Sequence, residues 1–210
     1  MGDAPKGDRA GIAFSLRVKI TLTFLLIGSL ASILLALGIV TILQRSMFAE
    51  LQNRVSGLAR IGVELVDVDA FQRLLARLSP DILEDDAIAV EDSADFRSLS
   101  DALNGIRATE ERLVHYIYLF APTPDPDTAL FVVDADLLAD RDLVEAGELS
   151  ADELTHFGSL FDLSDFPVAR RAIADGVPLV EEDYTWDEAY GVNSLTGYAP
   201  VFSRDGTRLL

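Results

Sequence analysis

The sequence predicts an α+β protein. One N-terminal transmembrane helix continues into a long membrane-proximal helix, and an antiparallel sheet flanked by helices follows. Three observations carry this. Ile20 to Leu43 form an uninterrupted apolar run. Behind it, apolar side chains recur at steps of three and four, then at steps of two. The rest of the chain is acidic and polar, with the patterning of an ordinary globular domain. Residues 1–19 then read as a cytoplasmic N-terminus, 20–43 as the membrane helix and 44–210 as one extracytoplasmic domain with its own core.

The apolar run would rise about 36 Å as a helix, enough to cross a hydrocarbon core of about 30 Å with some tilt. Lys6, Arg9, Arg17 and Lys19 precede it, offset by Asp3 and Asp8, so of 17 basic and 35 acidic residues 13 and 33 lie beyond. That asymmetry favours an inner, cytoplasmic N-terminus, although Arg45, Arg54 and Arg60 on the far side weaken it. The rival is a cleaved signal peptide, for which Ala36-Leu37-Gly38 has the small-x-small form. The run is longer than the usual apolar region of such a peptide. Within the run, Gly28, Ser32 and Ala36 lie four apart, a small-residue face on which two membrane helices can approach, so a homodimer is expected.

Phe48, Leu51, Val55, Leu58, Gly62 and Leu65 draw an apolar seam along one helix. With no Pro between, this helix reads as continuous with the anchor, pairing with a copy of itself or packing on its own domain. Asp69 and Gln72 read as an N-cap and its reciprocal partner, opening a short helix with Phe71, Leu74, Leu75 and Leu78 on one face and a stop at Pro80. A second helix is predicted from Ala94 to about Arg112, with Phe96, Leu99, Leu103 and Ile106 as its stripe. Val114–Phe120 and Ala129–Ala135 then read as a hairpin around the loop from Pro122 to Thr128. Asp136 to Asp165 reads as acidic loops with one short helical turn. Ser164-Asp165 can cap a helix over Val168–Asp175, with Pro167 in its first turn and Gly176 after its end. Strands are predicted around Pro178–Glu182, Tyr184–Tyr190 and Leu195–Phe202, and Asp205-Gly206 as a tight turn into a last strand at Arg208–Leu210. A chain that stops inside that strand reads as a fragment.

Ala189-Tyr-Gly-Val-Asn-Ser-Leu-Thr-Gly-Tyr-Ala-Pro-Val-Phe-Ser-Arg-Asp-Gly206 is similar to the "G…sGyaPi.d.dG" strand-turn signature of extracytoplasmic Cache-type sensor domains. The segment from Arg54 to Arg60 with Val68-Asp69 resembles the membrane-proximal helix and corner of that family, and Tyr116-Ile-Tyr118 with Phe131–Ala135 its paired central strands. The resemblance covers about Gln44 to Leu210. It implies a PAS-like sheet in a bacterial membrane receptor that binds a small solute outside the cell. It also implies an output domain elsewhere in the full protein, a nucleotide cyclase, diguanylate cyclase, phosphodiesterase, histidine kinase or chemoreceptor, reached through the membrane-proximal helix.

Chemistry of the residues points the same way. The chain has no Cys and two His, His115 and His156, and it lacks a nucleophile elbow and a zinc-hydrolase helix, so no catalytic site is expected. Glu153-Leu-Thr-His156 is half of a di-metal motif without its other half. Asp134, Asp136, Asp140 and Asp142 lack calcium-loop spacing and read as a solvated acidic loop. No metal or cofactor is expected, and the acidic balance argues against nucleic acid. The candidate ligand-binding residues are Tyr116, Tyr118, Asp134, Trp186 and Tyr198. Tyr116 and Tyr118 share a strand face, and Trp186, Tyr190 and Tyr198 are expected on later strands of the same sheet. Aromatic walls with a few polar tips suit a small-molecule pocket. Each also suits a core or strand-pairing role, and Asp134 also suits a turn cap. A ligand-free tethered scaffold for dimerisation or protein binding is the alternative function.

Overall fold

The computed structural model describes residues 15–110, 113–187, 191–206 and 209–210. It comprises two compact units, Met1–Glu50 and Leu51–Leu210. The long helix α1 spans Leu16–Leu65 without a break, and none of its residues is fully buried. Among the described residues it is the helix long and apolar enough to cross a membrane, a property shared by anchors and signal sequences. In the second unit the predicted seam packs on its own domain. Gly62 lies against Ile106, and Val55 meets the backbone of Gly197, although Leu65 at the helix end faces solvent.

Helix α2, Val68–Leu75, buries Ala70, Phe71 and Leu74. Its cap is Asp67, not the predicted Asp69. The extended backbone of Asp67 turns its Oδ1 onto the N–H groups of Asp69 and Ala70, which places Asp69 inside the first turn. Helix α3, Glu84–Glu91, was not predicted, because one turn of apolar side chains within an acidic stretch carries too little period to read. Helix α4, Ala94–Thr109, starts as predicted, with Ser93 capping Phe96, and ends three residues early. Its stripe Phe96, Leu99, Leu103 and Ile106 is buried.

The hairpin forms from β1, Tyr118–Pro122, and β2, Thr128–Asp134. The predicted stretch Val114–Ile117 lies outside β1. The acidic segment that follows is more regular than expected. It holds α5, Leu137–Ala146, a 3-10 turn at Ala151–Glu153, and β3, Leu160–Asp162, which pairs with β2. Helix α6, Pro167–Asp175, has Pro167 at its start and Gly176 in the left-handed region after its end, as predicted. Its N-cap is Phe166, without a side-chain cap, so Ser164-Asp165 does not cap it.

One continuous sheet was expected, and three small ones are found: β1-β2-β3, then β4 (Leu179–Val180) with β7 (Gly197–Tyr198), then β5 (Thr185–Asp187) with β6 (Val192–Ser194). All pairs are antiparallel. The later ladders run for two or three residues only, and among the described residues none of them pairs with β1-β2-β3. Past the Asp205-Gly206 turn, Phe202 bridges Leu209 and Leu210 donates to the Val201 carbonyl, while 207 and 208 lie outside the described residues.

The first sheet separates two apolar clusters. On one side Leu119, Ala121, Val132, Val133 and Ala135 meet α2 and α4. On the other Ala129, Phe120 and Phe161 meet Leu163, Phe166, Ala169 and Tyr198.

Candidate functional site

Register along β1 and β2 decides what faces the cleft. Phe120 pairs with Phe131 and Tyr118 with Asp134, with an irregularity between them that adds one residue to β2. Strict alternation from Phe131 would turn Val133 to the aromatic face and send Asp134 into the helices. The bulge reverses this. Val132 and Val133 both enter the helix-side core, and Asp134 emerges opposite Tyr118, only 9% exposed.

The end of β2 is clamped from α4. Asn104 Nδ2 and Ser100 Oγ donate to the Ala135 carbonyl at 2.7 and 3.3 Å. Arg107 pairs with Asp136 and donates to Asn104 Oδ1 at 2.5 Å. Asp136 N donates to Asp134 Oδ1 at 2.9 Å, so Asp134 does cap a turn. Burial nevertheless pushes its carboxyl up to about 6. The Asp136 N–H opposes the rise, the Asp136 and Asp140 carboxylates add to it, and Arg107 opposes it.

A row of rings leads away from this carboxyl. Tyr116 and Tyr118 are parallel at 6.3 Å, Phe120 and Phe161 stack at 5.1 Å, and Phe131 sets its edge against Tyr118, Phe120 and Phe161. These rings form one wall of a cleft of about 1480 Å³, larger than the roughly 300–1,000 Å³ of most ligand pockets. Leu51, Val55, Leu58 and Gly62 of α1 and the segment Asn193–Val201 form the others.

Tyr116, Tyr118, Asp134, Trp186 and Tyr198 all line this cleft. They reach it from separate ladders and, for Tyr116, from the chain before β1, not from one sheet as expected. Trp186 is 57% exposed and stands at the rim. Tyr198 packs into the second cluster and donates its hydroxyl to Glu181 Oε1 at 3.4 Å. Its own titration is raised, first by burial and then by the Glu181 charge. Tyr190 lies outside the described residues.

Glu181 escaped the sequence reading. It is buried, accepts Thr196 N through Oε2 at 3.0 Å, and makes no ion pair with a described Lys or Arg. Nothing in Glu181-Glu182 shows which of the two turns inward. Phe120, Phe131, Phe161 and Phe166 were likewise missed as wall residues, since a Phe in a strand reads first as core.

Gly28, Ser32 and Ala36 fall on the exposed apolar length of α1, where Ser32 Oγ donates to the Gly28 carbonyl at 2.9 Å. The acidic run Asp136–Asp142 begins α5 instead of forming a loop, and among the described residues no cluster could hold a metal. His156 instead holds Glu91, its Nδ1 3.0 Å from Oε1. No family model matches the chain, and no curated protein or solved structure matches it either.

Proposed function

We propose that residues 44–210 are the extracytoplasmic, PAS-like Cache-type sensor region of a membrane receptor, binding a small solute in the cleft beside β1. The observation that carries the reading is the cleft itself. It joins a bulge-presented carboxyl and an aromatic wall to the last turns of α1. A solute there would bias two packings of α1 against the sheet only as far as its affinities for them differ. The long helix would carry that bias to the cytoplasmic output, a cyclase or a kinase, that the resemblance implies. The apolar length of α1 supports integral membrane attachment, and its small-residue face supports a homodimer.

A ligand-free scaffold is the second reading. The exposed Tyr184, Trp186 and Val192 around the β5–β6 hairpin favour it, because such side chains suit a protein contact. Melting the full chain in detergent against a broad metabolite collection separates the two. A ligand at a hundred times its dissociation constant adds about 2.7 kcal/mol, a rise of several degrees. Stabilisation by one chemical class, lost in Tyr118→Ala with the fold retained, is the expected result. A screen without any stabilising compound would favour the scaffold.

A further inference from the structure

We propose that the β4–β7 ladder is the lever through which a solute in the cleft reaches α1, with Glu181 as its hub and Gln52 and Val55 as its two points of attachment on the helix. The proposal rests on the reading of the cleft as a ligand site and adds the route by which occupancy is felt. Thr196, Gly197 and Tyr198 line the cleft, as do Leu51, Val55 and Leu58 of α1. Gln52 and Glu181 are not among its lining residues, so the part given to them is indirect.

Glu181 is buried and bonds in both directions. Its N–H donates to the Thr196 carbonyl at 3.0 Å, and its carboxylate accepts Thr196 N at 3.0 Å and the Tyr198 hydroxyl at 3.4 Å. Its carbonyl accepts Gln52 Nε2 at 2.8 Å. One residue thus holds both backbone groups of Thr196 on the cleft side and a side chain of α1 on the other. The second attachment is steric. A Cβ on Gly197 would lie 2.6 Å from Val55 Cγ1, so ladder and helix are already as close as backbone allows.

The ladder is also the side of the cleft that can yield. At Gly62, α1 meets Ile106, which belongs to the buried stripe of α4 and cannot shift without unpacking the core. By contrast, β4 and β7 share two residue pairs, Leu179 with Tyr198 and Val180 with Gly197, and so short a ladder opens at low cost. Helix α1 has no fully buried residue of its own. Two lightly held elements tied to each other shift together, and a solute that prefers one position of Thr196–Tyr198 therefore selects one position of α1.

The test is hydrogen exchange on the full chain in detergent without ligand, so its outcome is independent of the solute. Gln52→Leu keeps a helix-favouring side chain but cannot donate to Glu181, and no backbone amide loses its partner. The Glu181 and Thr196 amides should nonetheless exchange about fivefold faster or more, with the amides of α4 unchanged. Coupling is reciprocal, so Gly197→Ala should speed exchange of the α1 amides around Val55, whose partners lie within the helix. Acceleration confined to α1 in Gln52→Leu, or to the ladder in Gly197→Ala, would overturn the proposal. Equal acceleration in α4 of Gln52→Leu would overturn it as well, since that marks a general loss of stability. Should Gly197→Ala fail to fold, Gln52→Leu decides alone. Failure here leaves the solute reading to the metabolite screen, and a screen without any stabilising compound would remove the solute while leaving the tie between ladder and helix.

Discussion

Burial holds the Asp134 proton more tightly in the folded chain than in the unfolded one, raising the group to about 6 from an ordinary 3.8. A carboxyl shifted this way adds no cost while protonated. The cost appears as pH rises through the ordinary value, grows until about 6 and is constant above. Two units correspond to about 3 kcal/mol at most, given that the group keeps some contact with water. Asp134→Asn keeps the size and the acceptor for Asp136 N but cannot ionise. Denaturant unfolding should therefore show the variant more stable by about 1–3 kcal/mol at neutral pH and equal to the parent near pH 4. A pH-independent difference would mean that the carboxylate is solvated. A side chain that costs stability at neutral pH is what a binding role would retain.

At the scale of elements, α1 and β7 touch where only glycine fits. A Cβ on Gly197 would lie 2.6 Å from Val55 Cγ1 and 3.2 Å from the Val55 carbonyl oxygen. Its backbone is not in the left-handed region, so the constraint is space alone. Gly197→Ala should push the helix and strand apart and cost about 1–3 kcal/mol, whereas Gly57→Ala in α1, with nothing within 4 Å, should gain up to about 1 kcal/mol. Thermal melts of both variants check the opposite signs. The elements legible in advance were those with a local signature: the apolar run, the stripe of α4, the hairpin, and the Pro167 to Gly176 helix. Helix α5 was missed because Leu137 is its single buried residue, leaving no stripe to see. The division into three sheets was not legible because the β4–β7 and β5–β6 ladders and the cleft beside β1 are tertiary facts. The bulge was hidden too, since Val132 and Val133 read equally well with either facing the helices. Alternation would put Tyr116 and Tyr118 on one strand face, but Tyr116 lies before β1, and the meeting of both with Asp134, Trp186 and Tyr198 at one cleft depends on loops that alternation does not describe.

At the scale of the whole molecule, a helix whose apolar side chains from Ile20 to Leu43 are all exposed needs a lipid or protein partner, since water would penalise so large a surface. A helix satisfies its own backbone within the bilayer, and the basic residues before the run favour an inner N-terminus. A reporter fused after Leu210 should thus be active outside the cytoplasm and stay with membranes through a carbonate wash. Recovery of a soluble, shortened chain beginning near Gly38 would instead identify a signal peptide. For an anchor, the face of Gly28, Ser32 and Ala36 makes a further demand. Ser32 returns its hydroxyl to the Gly28 carbonyl, which leaves a shallow groove with no outward polar donor at that turn. Two such grooves can bring backbones close enough for extensive van der Waals contact, the main attraction between helices in lipid. Gly28→Ile fills the groove and, by adding apolar surface, does not weaken the hydrophobicity that inserts the helix. Self-association of the isolated membrane segment should fall while its insertion is unchanged, and equal association of parent and variant would place any dimer contact outside this face.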